Sequence, residues 1–153
     1  MPQSEFDLRT TNLRIIEEYR ATGGEGAELV AGRFKGDGML LLTTTGRKSG
    51  EARTTPVGYR MDGDRMYILT MNAGRPQLPN WYWNLGANPQ VTLEVGTETY
   101  QARAVVAGEV EGERLLAQFA GREPRLQAAL DKMTADAAPR PRRRVPIVRL
   151  ERL

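Results

Sequence analysis

The side chains best suited to chemistry fall in one short stretch, Gly46-Arg47-Lys48-Ser49-Gly50, with Arg53 close behind. Glycines let the backbone turn its N–H groups inward, and the arginines, lysine and serine add charged or hydroxyl donors, so the stretch has the makings of an anion site. Each charge-assisted hydrogen bond to a phosphate contributes roughly 1.5–3 kcal/mol, and two or three suffice to hold a phosphorylated ligand. A solvated hairpin turn has the same composition, and the residues alone leave both readings open.

Other chemistry is narrowed by what the chain lacks. Among its 153 residues there is no cysteine, which excludes disulfides, thiolate nucleophiles and cysteine metal sites, and no histidine, the usual general base and commonest transition-metal ligand. Reactivity must then come from an organic cofactor or from Tyr, Ser, Lys, Asp and Glu. A net charge of +3, from 22 basic and 19 acidic residues, suits a small anionic ligand better than a nucleic-acid groove. No apolar run approaches the roughly 20 residues that span a bilayer, and the N-terminus lacks a signal-peptide core, so a cytoplasmic protein is expected.

The cationic stretch needs strands to carry it. Residues 39–45, 53–61 and 65–70 read as three strands, joined by residues 46–50 and by Asp62-Gly63-Asp64, a strong hairpin signal. Links this short make the strands antiparallel neighbours, because a parallel return needs a dozen residues or more. Before them, residues 5–20 predict a helix with Leu8, Ile15, Ile16 and Tyr19 on one face, stopped by Gly23-Gly24. Its mixed charges suit packing on a core or a partner better than lying on a membrane. Residues 25–38 form a glycine-punctuated connection of no clear structure.

After the strands, Gly74, Pro76 and Pro79 predict an irregular loop over residues 71–79, a plausible pocket wall. Asn80 reads as the N-cap of a short helix over residues 81–85 that stops before Asn88-Pro89. Neighbours on a helix point about 100° apart, so at least one of Trp81, Tyr82 and Trp83 must leave the core. Trp81 is open between packing and walling a planar ligand; Tyr82 suits packing. Residues 90–95 and 99–106 form a second hairpin across Gly96-Thr97-Glu98. A helix over residues 110–119 carries Leu115, Leu116 and Phe119 and is broken by Gly121 and Pro124, and a further turn or two over residues 124–133 aligns Leu126, Leu130 and Met133. The arginine run at 140–144 reads as a solvated loop kept extended by Pro139 and Pro141, with no interleaved aromatics for nucleic acid. Residues 145–150 form the last strand. The whole predicts one domain, mainly β with α: a small antiparallel barrel over residues 39–153 with packed helices, residues 1–38 belonging to the same unit.

Residues 41–56 (LLTTTGRKSGEARTTP), the Asp62-Gly63 hairpin, Pro79-Asn80-Trp81-Tyr82-Trp83-Asn84-Leu85 with Asn88-Pro89, and Arg144-Val145-Pro146-Ile147-Val148 occur together in a telling order and spacing. Over about residues 39–150 the chain resembles the deazaflavin-dependent nitroreductase family, split β-barrels of the FMN-binding type that bind coenzyme F-420. That coenzyme carries a tricyclic deazaflavin, a ribityl phosphate and an acidic oligoglutamate tail. The resemblance implies that Arg47, Lys48, Ser49 and Arg53 hold the phosphate and tail, and that Thr54, Thr55, Pro56, Val57 and Gly58 run beside the rings. It places Ile68, Leu69, Thr70 and Met71 at the deazaflavin edge and Asn80, Trp81, Tyr82, Trp83 and Asn84 on a ring-side helix.

The activity implied is hydride transfer from reduced F-420 to an enone, quinone or nitroarene. FMN is the alternative cofactor, and a non-catalytic carrier or small regulatory binding protein is the alternative to an enzyme. Without histidine, the proton comes from solvent or from Tyr59 or Tyr67. Two departures stand out: the family often has histidine where Trp83 stands, and residues 126–144 lack the tyrosines that some members carry near the substrate. A homodimer is plausible, since small split barrels often pair through their sheets.

Overall fold

The computed structural model describes residues 5–24 and 38–153, with side chains from residue 11 onward. The connection at 25–37 and the side chain of Leu8 lie outside them. Six strands close into an antiparallel barrel in the order β1 (Gly38–Thr45), β2 (Ala52–Asp62), β3 (Arg65–Leu69), β6 (Ile147–Arg152), β5 (Glu98–Val106) and β4 (Gln90–Val95), with β4 returning to β1. Alternation along each strand decides what faces inward. Leu40 and Leu42, Val57, Ile68, Val91 and Leu93, Ala102 and Ala104, and Val148 and Leu150 fill the interior.

The opposite faces recruit helices. α1 (Glu5–Thr22) lays Ile15, Ile16 and Tyr19 on Met39 and Leu41. The Tyr19 hydroxyl donates to the Met39 carbonyl at 2.9 Å and accepts from the Gly96 N–H at 2.8 Å, so the helix is tied to β1 and to the turn between β4 and β5. On the other side, α3 (Glu109–Arg122) and α4 (Pro124–Ala137) pack Leu115, Phe119, Leu126, Leu130 and Met133 against Tyr67, Leu69 and Ile147. Arg60 on β2 and Glu123 at the α3–α4 junction form a two-bonded ion pair at 2.9 and 3.1 Å, with 14% and 13% of their side chains exposed.

Several boundaries differ from the sequence expectation for identifiable reasons. α3 runs through Gly121 to Arg122, because one helical glycine costs only about 1 kcal/mol. Pro124 then opens α4 instead of closing α3, its missing N–H being no loss in a first turn. α4 continues to Ala137, supported by the Lys132–Asp136 pair at 2.7 Å. The last strand begins at Ile147, two residues late, since Pro146 has no N–H to give a ladder, and it extends to Arg152 opposite Ala102. The loop after β3 contains a 3-10 turn, Asn72–Gly74, in which Asn72 and Ala73 have φ of 48° and 55°.

Candidate functional site

The cationic turn closes on itself before it meets anything else. Gly50 N–H donates to the Gly46 carbonyl at 2.8 Å, Gly46 N–H to the Glu51 carbonyl at 2.7 Å, and Ser49 Oγ accepts from the Glu51 N–H at 3.1 Å. Gly50 has φ of 73°, which favours glycine, and a Cβ on Gly46 would stand 2.6 Å from Ser49 Oγ and push that hydroxyl from its place beside the Glu51 N–H.

The helix that steadies this turn is α2 (Asn80–Ala87), which seats Trp81 and Leu85 in the barrel interior and thereby plugs one end. Asn84, one turn from Trp81 and next to Leu85, is buried with them. Its Oδ1 accepts from the Arg47 backbone N–H at 3.2 Å and from Arg47 Nη1 at 2.9 Å, and its Nδ2 donates to Thr44 Oγ1 at 3.2 Å. Arg47 Nη1 and Nη2 also reach the Asn80 carbonyl and Oδ1 at 3.4 and 3.5 Å. Asn80 is thus the first helical residue and an acceptor for Arg47; the cap position belongs to Pro79, with no side-chain cap bond.

The predicted donors therefore divide. Arg47 is committed to α2. Lys48 and Ser49 are exposed, and Lys48 has no ion-pair partner among the described residues. Arg53 is exposed and paired with Glu51 at 3.2 Å, an attachment that a ligand anion would have to displace. The aromatic cluster divides too. Trp81 is 8% exposed and belongs to the core, and Tyr82 packs partly against it. Trp83, two residues round the helix, is 49% exposed and lies edge-on to Tyr82 at 5.1 Å.

Next to the turn the barrel is split. β2 pairs with β1 from Ala52 to Tyr59, but β3 pairs with β2 only between Tyr59 and Asp62. Residues 52–58 therefore have β1 alone as a ladder partner among the described residues, and alternate residues there turn N–H and C=O away from it. Beyond Leu69 the chain follows β6 instead: Thr70 N–H and Oγ1 both donate to the Pro146 carbonyl, at 3.2 and 2.8 Å. Of the residues named for the deazaflavin edge, Ile68 and Leu69 give their side chains to the two cores, and Thr70 and Met71 stand where β3 has parted from β2. Along β2, Pro56, Val57 and Gly58 are buried, Thr54 and Thr55 half-buried, and Thr43 and Thr54 share a hydroxyl hydrogen bond of 2.8 Å. On the far side of β1, a groove of about 390 Å³ runs past Gly50 and is lined by Thr43, Thr45, Gln90, Thr92 and Gln101, with no charged side chain.

A cationic turn beside a split barrel edge can be set against known proteins. The model of the F420H(2)-dependent quinone reductase family aligns with residues 13–148. The chain belongs to this family. It is a family of oxidoreductases whose named coenzyme is reduced F-420. An F420H(2)-dependent quinone reductase of Mycobacterium tuberculosis is 40% identical over 86 residues, 56% of either chain. A second relative from that organism, named for the same activity, is 36% identical over 87 residues, 57% of this chain and 73% of its own. The chain thus spans about half the length of the first of these relatives. Among solved structures, the F420-H2 dependent reductase FDR-A superposes with a TM-score of 0.60 at 24% identity, covering 78% of this chain and 98% of its own. A protein described as a domain-swapped dimer gives 0.61 at 23% identity over 97% and 100%. Both likenesses are of fold. No helix among the described residues is long and apolar enough to cross a membrane.

The sequence reading missed two features. One is Asn84 as the hub of the turn, which no local pattern marks, since its partners Thr44 and Arg47 lie on another element. The other is where the split opens, beyond Tyr59 on β2 and Ile68 on β3; the resemblance implied a split barrel without fixing that point.

Proposed function

We propose that this chain binds reduced F-420 in the split beside β2 and reduces a quinone with it. The carrying observation is the buried Asn84, which fixes Arg47 and so holds the turn with Lys48, Ser49 and Arg53 facing outward. That donor set fits a phosphate and an acidic tail: the cations need no refolding to meet an anion, and ordering costs of about 0.5–1.5 kcal/mol per side chain are partly met beforehand.

When bound, reduced F-420 supplies a hydride from the C5 position of its deazaflavin. This chain's part is to hold and to exclude. The turn takes the anionic end, residues 54–58 of β2 offer free backbone groups along the ring system, Trp83 provides an exposed ring on α2, and the 70–78 loop closes the far side. The family name favours a quinone over the enone and nitroarene acceptors, and favours an enzyme over a carrier.

The test is a titration of the chain with oxidised F-420 and with FMN, followed by Trp81 and Trp83 fluorescence at low and moderate salt, then turnover of reduced F-420 with a quinone, an enone and a nitroarene. Tight, salt-sensitive binding of F-420 with quinone turnover is expected. Binding of FMN alone sinks the cofactor assignment, and F-420 binding without turnover of any acceptor returns the carrier reading.

A further inference from the structure

Arg143 is not the solvated member of an arginine run that its neighbours suggest. Half-buried, it spreads its guanidinium over four backbone carbonyls. Nε donates to Arg75 at 2.9 Å, Nη1 to Arg144 at 2.9 Å, and Nη2 to Thr70 at 3.0 Å and Met71 at 2.9 Å. Four of the five N–H groups of the fork are used, and three of the four acceptors lie in the loop that leaves β3. Burial and the neighbouring Arg142 both press against its charge, and it has no carboxylate partner among the described residues. A charge in that position is held by oriented dipoles, so the carbonyls are fixed by the cation as much as the cation by them.

The loop so gripped is also strained. Asn72 and Ala73 take consecutive left-handed conformations, with φ of 48° and 55°, although neither is glycine. Asn72 Nδ2 braces the turn by donating to the Gln77 carbonyl at 2.8 Å. Strain of this kind persists only where the surroundings impose it, and it concentrates where a wall must stand in one place. Here Thr70 and Met71 stand where the chain has parted from β2, and the turn behind them is backed by Met133 of α4.

We propose that Arg143 is a positioning residue for the acceptor: its fork fixes the Thr70 and Met71 carbonyls and the strained turn behind them as the far wall of the split. This rests on the proposed function for its catalytic consequence, though not for its structural one. Lysine cannot substitute, because a single ammonium cannot span carbonyls from Thr70 to Arg75.

The experiment compares the parent chain with Arg143→Ala and Arg143→Lys by backbone hydrogen exchange and by steady-state kinetics with reduced F-420 and a quinone. In both variants, exchange over residues 70–78 should rise about tenfold or more, as local opening becomes easier. KM for the quinone should rise and kcat fall by about tenfold each, since small misplacements are costly, while F-420 affinity, held mainly at the turn, falls by no more than a few-fold. Unchanged exchange in Arg143→Ala, or a lysine variant that behaves as the parent, overturns the fork. A loosened loop with unchanged KM and kcat overturns the acceptor role. A parent that binds no F-420 overturns the proposed function instead, and that is visible before any variant is compared. Should Arg143→Ala not fold, Asn72→Ala keeps the arginine and removes the brace to the Gln77 carbonyl; the same rise in KM is expected, and its absence counts against the wall.

Discussion

Replacing Asn84 by alanine tests the link between the barrel plug and the cationic turn. The side chain is 5% exposed and makes three hydrogen bonds: from the Arg47 N–H at 3.2 Å, from Arg47 Nη1 at 2.9 Å, and to Thr44 Oγ1 at 3.2 Å. A neutral hydrogen bond contributes about 1 kcal/mol net and one to a charged group about 1.5–3, but the exposed Arg47 guanidinium regains water, so its bond counts at the lower end. Allowing that Thr44 and the Arg47 N–H are also partly rehydrated, the loss comes to about 2–3 kcal/mol. For a chain of this size each kcal/mol moves the melting temperature by roughly 2–4 °C, so a fall of about 4–12 °C is expected by circular dichroism. F-420 affinity should drop about tenfold, because binding must now order the turn itself. Asn84→Asp keeps an acceptor toward Arg47 and should recover most of that affinity. An alanine variant that melts within about 2 °C of the parent and titrates identically with F-420 refutes the lock.

Other outcomes follow from the same geometry. Glu51→Gln removes the carboxylate that holds Arg53 at 3.2 Å and should tighten F-420 binding a few-fold at low salt, an effect that vanishes as salt is raised; weaker binding would mean that the pair helps to shape the site. Arg60→Ala leaves Glu123 largely buried without its partner and should destabilise the chain by about 3 kcal/mol in urea unfolding, whereas a change below about 1 kcal/mol would mean that the pair is effectively solvated. Trp83→Leu should leave the melting temperature within about 2 °C and remove most of the fluorescence response to F-420, while Trp81→Leu should cost about 2–3 kcal/mol; the reverse pattern would exchange the roles assigned to the two rings.

How far the sequence could be read depended on whether each residue's partner was near in the chain. Both hairpins, the cationic turn and the apolar face of α1 were legible because period-two alternation, glycine-rich links and helical spacing are local signals. The barrel order followed from short links for β1–β2–β3 and β4–β5. The β4–β1 and β3–β6 pairings join residues about 50 and 80 positions apart and needed the structure, or the family resemblance, to show them. Asn80 was misjudged as a cap because its type suits a cap, yet Pro79 takes that position and frees Asn80 to meet Arg47. Arg143 was misjudged for a similar reason. Its neighbours are basic and proline-flanked, and only the approach of Thr70, Met71 and Arg75 converts one of several arginines into a clamp.

The source of the proton can be argued from where the tyrosines went. Tyr67 is 3% exposed on the outer face of β3, with Phe119 at 6.0 Å under α3 and α4, so it does not serve the split. Tyr59 faces the interior, and its hydroxyl lies over Gly38, within 2.8 Å of where a Cβ there would stand. Gly38 begins β1, on the opposite side of β2 from the split, so this hydroxyl too is turned from the acceptor. On the proposed reading, with no histidine in the chain and both candidate tyrosines turned away, water protonates the reduced acceptor. Such a site suits an acceptor whose reduced anion is delocalised, and a quinone, which leaves as an aromatic oxyanion, meets that condition where a simple ketone does not. Tyr59→Phe should therefore keep kcat for a quinone within about threefold at every pH tested. A positioned general acid contributes about 10²–10⁴-fold, so a loss of that size, with the alkaline limb of the pH profile removed, would make Tyr59 the donor and require its hydroxyl to swing across β2 when the coenzyme binds.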